Sequence, residues 1–256
     1  MCQLLGMNCN VPTDICFSFE GFTARGGHTD EHRDGWGIAF FEGQACRTFH
    51  DVQASANSEI ANLLHRYPIK SLNTIAHIRK ASIGGVNLAN THPFQREAWG
   101  QQWIFAHNGD LWNYNPQKFS HHHPVGTSDS EMAFCSLLNA LREEFPDACP
   151  ELPVLYKKLH ELSEPIAKFG TFNFLLSNGQ YLFARCSTKL VYIIREAPFK
   201  NAHLIDRDIA IDFTQHTTAD DRVAVIATEP LTDDEEWTTF KAGELLVFEN
   251  GQVVNL

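Results

Sequence analysis

Met1-Cys2-Gln3-Leu4-Leu5-Gly6-Met7 opens the chain, and the position of Cys2 decides how the rest is read. Cysteine is small enough for an aminopeptidase to remove Met1 and leave Cys2 as the mature N-terminus. A terminal cysteine carries a thiol and a free α-amine on one carbon. Their reference pKa values, about 8.5 and about 7.7–8.0, lie close together and near neutral pH. The thiol then serves as nucleophile and the amine as a built-in base. Position alone also allows an ordinary reading, a small buried residue at the start of a strand.

Working outward, residues 3–8 read as the first of many short apolar strands. Others are expected at 37–41, 72–78, 103–106, 172–176, 181–185, 191–194, 223–227 and 245–248, most of them bounded by Gly, Asn or Asp. Asn178-Gly179 and Asn250-Gly251 are hairpin signals. A helix is expected to start near Asp129, with Ser128 and Glu131 as a capping box and Phe134, Leu138, Leu141 and Phe145 on one face. A second is expected over 154–168, after Pro150 and Pro153 and before Gly170. A weaker one covers 58–65. This order is not strict βα alternation. It predicts an α+β fold, two mainly antiparallel sheets packed face to face with helices outside, in a four-layer αββα sandwich. With no repeat or linker, residues 1–256 read as one domain.

Composition narrows the function. The 256 residues are 43% hydrophobic, enough for a sizeable core. No apolar stretch is long enough to span a bilayer, and no secretory leader is visible, so no membrane partner is expected. The net charge of −11 argues against nucleic acid. Seven scattered cysteines do not suggest a disulfide framework, and the expected location is the cytoplasm. Neither a phosphate loop nor a nucleotide fingerprint is present, so no cofactor is expected. Thirteen histidines invite a metal reading. However, His121-His122-His123 before Pro124 reads as a loop, and Cys2, Cys9 and Cys16 do not have zinc-ligand spacing. No metal site is expected.

Four polar segments stand beside strand-like runs. They are Cys2; His77-Ile78-Arg79-Lys80-Ala81-Ser82; Asn90-Thr91-His92-Pro93-Phe94 with His107-Asn108-Gly109-Asp110; and Thr127-Ser128-Asp129-Ser130-Glu131. Singly, each has an ordinary reading: a strand-end charge, a turn, a first-turn helix acid. Together and in this order they resemble the class II glutamine amidotransferases, N-terminal-nucleophile hydrolases of αββα fold, over nearly the whole chain. Asp34-Gly35-Trp36-Gly37 and Ala227-Thr228-Glu229-Pro230-Leu231 carry a closer likeness to stand-alone bacterial members.

The resemblance implies the following roles. Cys2 attacks the side-chain amide of glutamine, and its α-amine moves the proton. The Asn108 side chain and the Gly109 N–H form the oxyanion hole. Arg79 clamps the α-carboxylate of the substrate, Asp129 pairs with its α-ammonium, and Ser82 helps to bind it. His77, His92 and His107 position the substrate loops. Lys80 replaces an aromatic residue common in the family, and Ile83 a histidine found in some members. The implied partner is glutamine or another γ-glutamyl small molecule, with ammonia passing to a separate acceptor or synthase protein. Two alternatives remain open: a self-contained amidohydrolase for γ-glutamyl conjugates, and a non-catalytic glutamine-binding subunit.

Overall fold

The computed structural model describes residues 2–82, 84–116 and 119–256. Met1, whose removal is expected, and Ile83, the departure named above, lie outside them. In chain order the first elements are β1 (Gln3–Thr13), α1 (Cys16–Ala24), β2 (Trp36–Glu42), β3 (Ala45–Asp51), α2 (Glu59–Arg66), β4 (Ser71–Ile78), β5 (Phe94–Ala98) and β6 (Gln101–Asn108). Next come α3 (Asp129–Glu144), α4 (Leu152–Ala167), β7 (Asn173–Ser177), β8 (Leu182–Arg185) and β9 (Val191–Glu196). The chain ends with β10 (Asn201–His203), β11 (Ala210–Asp212), β12 (Arg222–Ala227), β13 (Thr238–Thr239), β14 (Leu245–Glu249) and β15 (Gln252–Val253).

Among the described residues one sheet runs β13-β9-β12-β1-β4-β2-β3 and a second runs β15-β14-β8-β7-β6-β5, with β10-β11 as a separate ribbon. The central pairings of both sheets are antiparallel. Strand periodicity builds the layers. From β1, Leu5 and Met7 join Phe19, Phe22, Ala61 and Leu64 in a core under α1 and α2. Leu4 points the other way, into a core shared with Ile104, Ala106, Leu175 and Leu182 of the second sheet. In β6, Trp103 and Phe105 face Phe134, Leu138, Leu155 and Leu159 of α3 and α4. The result is the expected αββα sandwich. The two sheets approach closely at Gly6, where a Cβ would stand 3.0 Å from Leu175 and 3.1 Å from Leu182. Leu4 is fully buried between the sheets, and truncating it to alanine should cost about 2–5 kcal/mol.

All nine expected strands form, several of them longer than expected. The sequence did not reveal α1, β3 or β5. Helix α1 has no side-chain N-cap and carries Gly21 in its middle, and its phenylalanines give it no polar face. It is held by burial, not by amphipathic spacing. Gly21 lets it lie against Leu204, whose Cδ2 would be 3.0 Å from a Cβ. Strands β3 and β5 lie at sheet edges and are only partly buried, so their apolar alternation is weak.

The capping box at α3 forms by half. Ser128 Oγ accepts the Glu131 N–H at 3.1 Å. The Glu131 carboxylate instead accepts the N–H groups of Val125 at 3.0 Å and Gly126 at 2.7 Å, and it pairs with Arg96. Glu131 therefore pins the loop that leads into α3.

Candidate active site

The N-terminal end of β1, the C-terminal ends of β4 and β6, and the N-terminus of α3 meet at one edge of the sandwich. A cleft there is lined by Cys2, Arg79, Lys80, Ala81, Ser82, His92, His107, Gly109, Ser128, Asp129 and Ser130. It encloses about 20 Å³, within about 270 Å³ of empty space that includes its mouth. This is room for about one water molecule. A roomier cleft, about 480 Å³, is lined by Arg195, Pro198, Lys200 and Glu235 among others. It lies toward the opposite end of β1, because Glu196 pairs with Arg222 and the Arg222 N–H reaches Asn10. No cysteine, serine, threonine or histidine lines it, so size and chemistry point to different places.

Cys2 lies two residues before Leu4, so strand alternation turns it toward the second sheet. The Lys80 N–H donates to its sulfur at 3.3 Å, and the thiol lies 3.5 Å from the Lys80 carbonyl. Burial pushes the Cys2 thiol up to about 11. The Lys80 N–H and Arg79 oppose this, while Asp110 adds to it.

Arg79 follows β4 and is buried. Its N–H donates to Gly35 at 2.8 Å, and its guanidinium donates to the carbonyls of Gly85 at 3.0 Å and Gly84 at 3.2 Å. Burial lowers its pKa below the ordinary arginine value, against the pull of Cys2, Asp34 and Asp129. The Asp34 carboxylate holds the next turn by accepting the Ala81 N–H at 2.7 Å. Ser82 donates its hydroxyl to Asp110. Asp129 is buried as the first residue of α3 and accepts the Leu111 N–H at 2.7 Å.

Gly109 must be glycine. A Cβ there would stand 1.9 Å from the Thr171 carbonyl oxygen and 2.9 Å from His107 Nε2. The constraint comes from the protein's own backbone, not from an approaching substrate. Asn108 is fully buried at the end of β6, immediately behind the cleft wall. Its backbone oxygen accepts from Asn173 Nδ2 at 3.0 Å, and its side-chain Nδ2 donates to Thr228 Oγ1 at 3.2 Å.

The three histidines join the two sheets. His77 Nε2 donates to the His107 carbonyl at 3.0 Å, and its ring stacks on His92 at 4.1 Å between centroids. His107 Nε2 donates to the Thr171 carbonyl at 2.9 Å, which leaves Nδ1 to accept from Ser130 Oγ at 2.8 Å. Burial lowers the pKa of all three. This keeps them neutral near pH 7, so they add no charge to the wall.

The structure thus brings Cys2, Arg79, Ser82, His92, His107, Gly109 and Asp129 to one cleft, with Asn108 and His77 directly behind it. Sequence reasoning missed Asn173, and it quoted Asp34, Ser130 and Thr228 only within the segments that carry the resemblance, with no role of their own. Each acts through a hydrogen bond to a segment distant in sequence, for which no local pattern exists. The histidine triplet lies elsewhere. The His121 and His122 N–H groups donate to Asn139 Oδ1 at 2.9 and 2.8 Å. Among the described residues no helix is long and apolar enough to cross a membrane.

Two stacked antiparallel sheets with helices on both outer faces, and a cysteine leading into a central strand, define the class of Ntn-type amidotransferase folds. The pattern described as Glutamine amidotransferases class-II matches residues 1–256, and the chain belongs to that family. It is 51% identical to YafJ of Escherichia coli (strain K12) over 99% of this chain and 100% of that protein. A crystal structure of a predicted glutamine amidotransferase from Pseudomonas aeruginosa PA01 is 47% identical, with a TM-score of 0.80 over 99% of this chain and 100% of that one. The glutamine phosphoribosylpyrophosphate amidotransferase of B. subtilis shares the fold at 13% identity and a TM-score of 0.59, over 98% of this chain and 48% of that one.

Proposed function

We propose that this chain cleaves the side-chain amide of glutamine, or of a γ-glutamyl conjugate, through a thioester on Cys2. The observation that carries the reading is the convergence of Cys2, Arg79, Gly109 and Asp129 on one cleft where the two sheets meet. Removal of Met1 frees the α-amine. The amine takes the thiol proton as sulfur attacks the amide carbon, then returns a proton to the leaving ammonia or amine. Water next attacks the thioester carbonyl, the C–S bond breaks, and glutamate leaves with the thiol restored. Asn108 and the Gly109 N–H hold the oxyanion at both tetrahedral stages. Arg79 takes the α-carboxylate, exchanging its present carbonyl partners for a stronger charged one. Asp129 takes the α-ammonium, and Ser82 supports the substrate.

Proton transfer is uphill at rest. Burial holds the thiol above its ordinary value, while the reference value of an α-amine lies near 8. Attack coupled to proton transfer avoids forming the bare thiolate. Neutral histidines leave Arg79 to stabilise negative charge at the sulfur.

The test is glutamate release from glutamine and a panel of γ-glutamyl amides, with the N-terminus read by intact mass. The proposal expects turnover only by protein lacking Met1. Full activity with Met1 retained would remove the amine from the mechanism. Higher activity on conjugates than on free glutamine would favour the self-contained amidohydrolase. Weak activity raised by a second protein would favour ammonia transfer.

A further inference from the structure

Thr228 closes the register of β12 against β1. Its Oγ1 accepts the Leu4 N–H at 2.9 Å, and its own N–H donates to the Leu4 carbonyl at 3.1 Å. These bonds continue the ladder one step past the Leu5–Ala227 pair. The same Oγ1 is the partner of Asn108 Nδ2 at 3.2 Å. Thr228 and Asn108 are both buried. One hydroxyl therefore joins the strand that carries Cys2, in the first sheet, to the last side chain of β6, in the second.

The hydrogen-bond inventory makes this tie directional. A threonine hydroxyl has one hydrogen to give and two lone pairs to receive. The Leu4 N–H takes one lone pair. With Asn108 Nδ2 donating to the other, the hydroxyl hydrogen has no use for either neighbour. Asn108 Oδ1 stays buried without a partner among the described residues, an arrangement rare in folded proteins. A half-turn of the carboxamide gives the hydroxyl hydrogen and Oδ1 each a partner and leaves the NH₂ group as the unpaired one. The hydroxyl then donates to Oδ1, and the whole NH₂ group moves to the end of the amide that Thr228 does not hold. On the proposed function, that free end is the one a developing oxyanion would meet.

We infer that Thr228 is a positioning residue for Asn108: its hydroxyl orients the carboxamide, so that the NH₂ group rather than the carbonyl meets the negative oxygen. This deepens the proposed function and rests on its assignment of Asn108 to the oxyanion hole.

The experiment compares Thr228→Val, Thr228→Ser, Asn108→Ala and the double variant Thr228→Val/Asn108→Ala in glutamate release, with urea unfolding of each. Valine keeps the shape and removes the hydroxyl. Misorienting an oxyanion donor costs less than deleting it, so Thr228→Val is expected to lower kcat roughly tenfold to hundredfold with KM changed less than about twofold. Thr228→Ser should restore kcat to within about threefold of the parent. The double variant should be no slower than Asn108→Ala alone. An unchanged kcat in Thr228→Val, or losses that multiply in the double variant, overturns the inference. If the parent protein releases no glutamate from any substrate, the proposed function fails instead. The tie is then judged on unfolding alone. Non-additive shifts of the urea midpoint support it, and additive shifts overturn it.

Discussion

Cys2 stands just before β1 and Cys9 within it, and burial pushes both thiols up to about 11. Burial raises both thiols; their surroundings differ. Cys2 faces the junction of the two sheets, against the Lys80 N–H and within the field of Arg79. Cys9 faces the core under α1 and α2, 3.1 Å from the Ser71 carbonyl, where the charge acting on it is the carboxylate of Asp221. An odd number of steps along a strand reverses the face, and that reversal separates a sulfur on an open cleft from one sealed in a core. A raised thiol pKa therefore says little here about which cysteine reacts. The neighbours that can hold a substrate and its developing charge decide it.

The largest expected effect breaks the pair apart. Cys2→Ala should lower turnover by roughly three orders of magnitude or more and abolish labelling by an electrophilic glutamine analogue. Cys9→Ala should leave kcat and labelling intact and cost only about 1–2 kcal/mol of stability. Peptide mapping checks it. Label on Cys9 in the folded protein would reverse the assignment.

Next in size is the proposed oxyanion hole. Asn108→Ala should lower kcat by about two to three orders of magnitude with KM little changed, because it acts on charge that exists only in the transition state. A variant with normal kcat and raised KM would move Asn108 from chemistry to binding. Arg79→Ala and Asp129→Asn should divide the other way. Each should raise KM roughly tenfold to a hundredfold, the size expected for one partner of a charged contact, with a smaller change in kcat. Initial-rate kinetics on one substrate compares all three. Asp129→Asn carries a structural cost as well, since its carboxylate also accepts the Leu111 N–H.

The parts legible in sequence were those with local causes. Central strands such as β1 and β6 show unbroken apolar runs, and Ser128 announces α3 because an N-cap bonds within its own turn. Cys2, Arg79 and Asp129 could be picked out only together, because each has an ordinary reading alone and it is their order along the chain that resembles the family. Helix α1 could not, because burial on all sides leaves no period to detect. Thr228 stood in a quoted segment, but its role was not legible, because its bonds reach residues 224 and 120 positions away. Gly109 was singled out in the sequence, but the physical reason it is glycine became visible only once Thr171 was placed against it.

The smallest effect separates the two cysteines by what stands behind them. Buried His77 and His92 are stacked behind Cys2. Burial holds both below the ordinary histidine pKa. The folded state thus disfavours their protonation, while the unfolded chain protonates near pH 6.5. Their contribution to stability is present above that value and is lost as pH falls below it. Both ring nitrogens of His92 are buried without partners among the described residues, and the ring lies between His77 and Phe94, so a phenylalanine would keep the stack while removing the titration. The urea midpoint of the parent protein should fall between pH 7.5 and pH 5.5. In His92→Phe it should fall less, by the share of one titrating ring, whereas Cys9→Ala should leave the parent's slope unchanged. If His92→Phe falls as steeply as the parent, the acid sensitivity lies elsewhere, and the stacked ring carries no proton linkage to the Cys2 side of the strand.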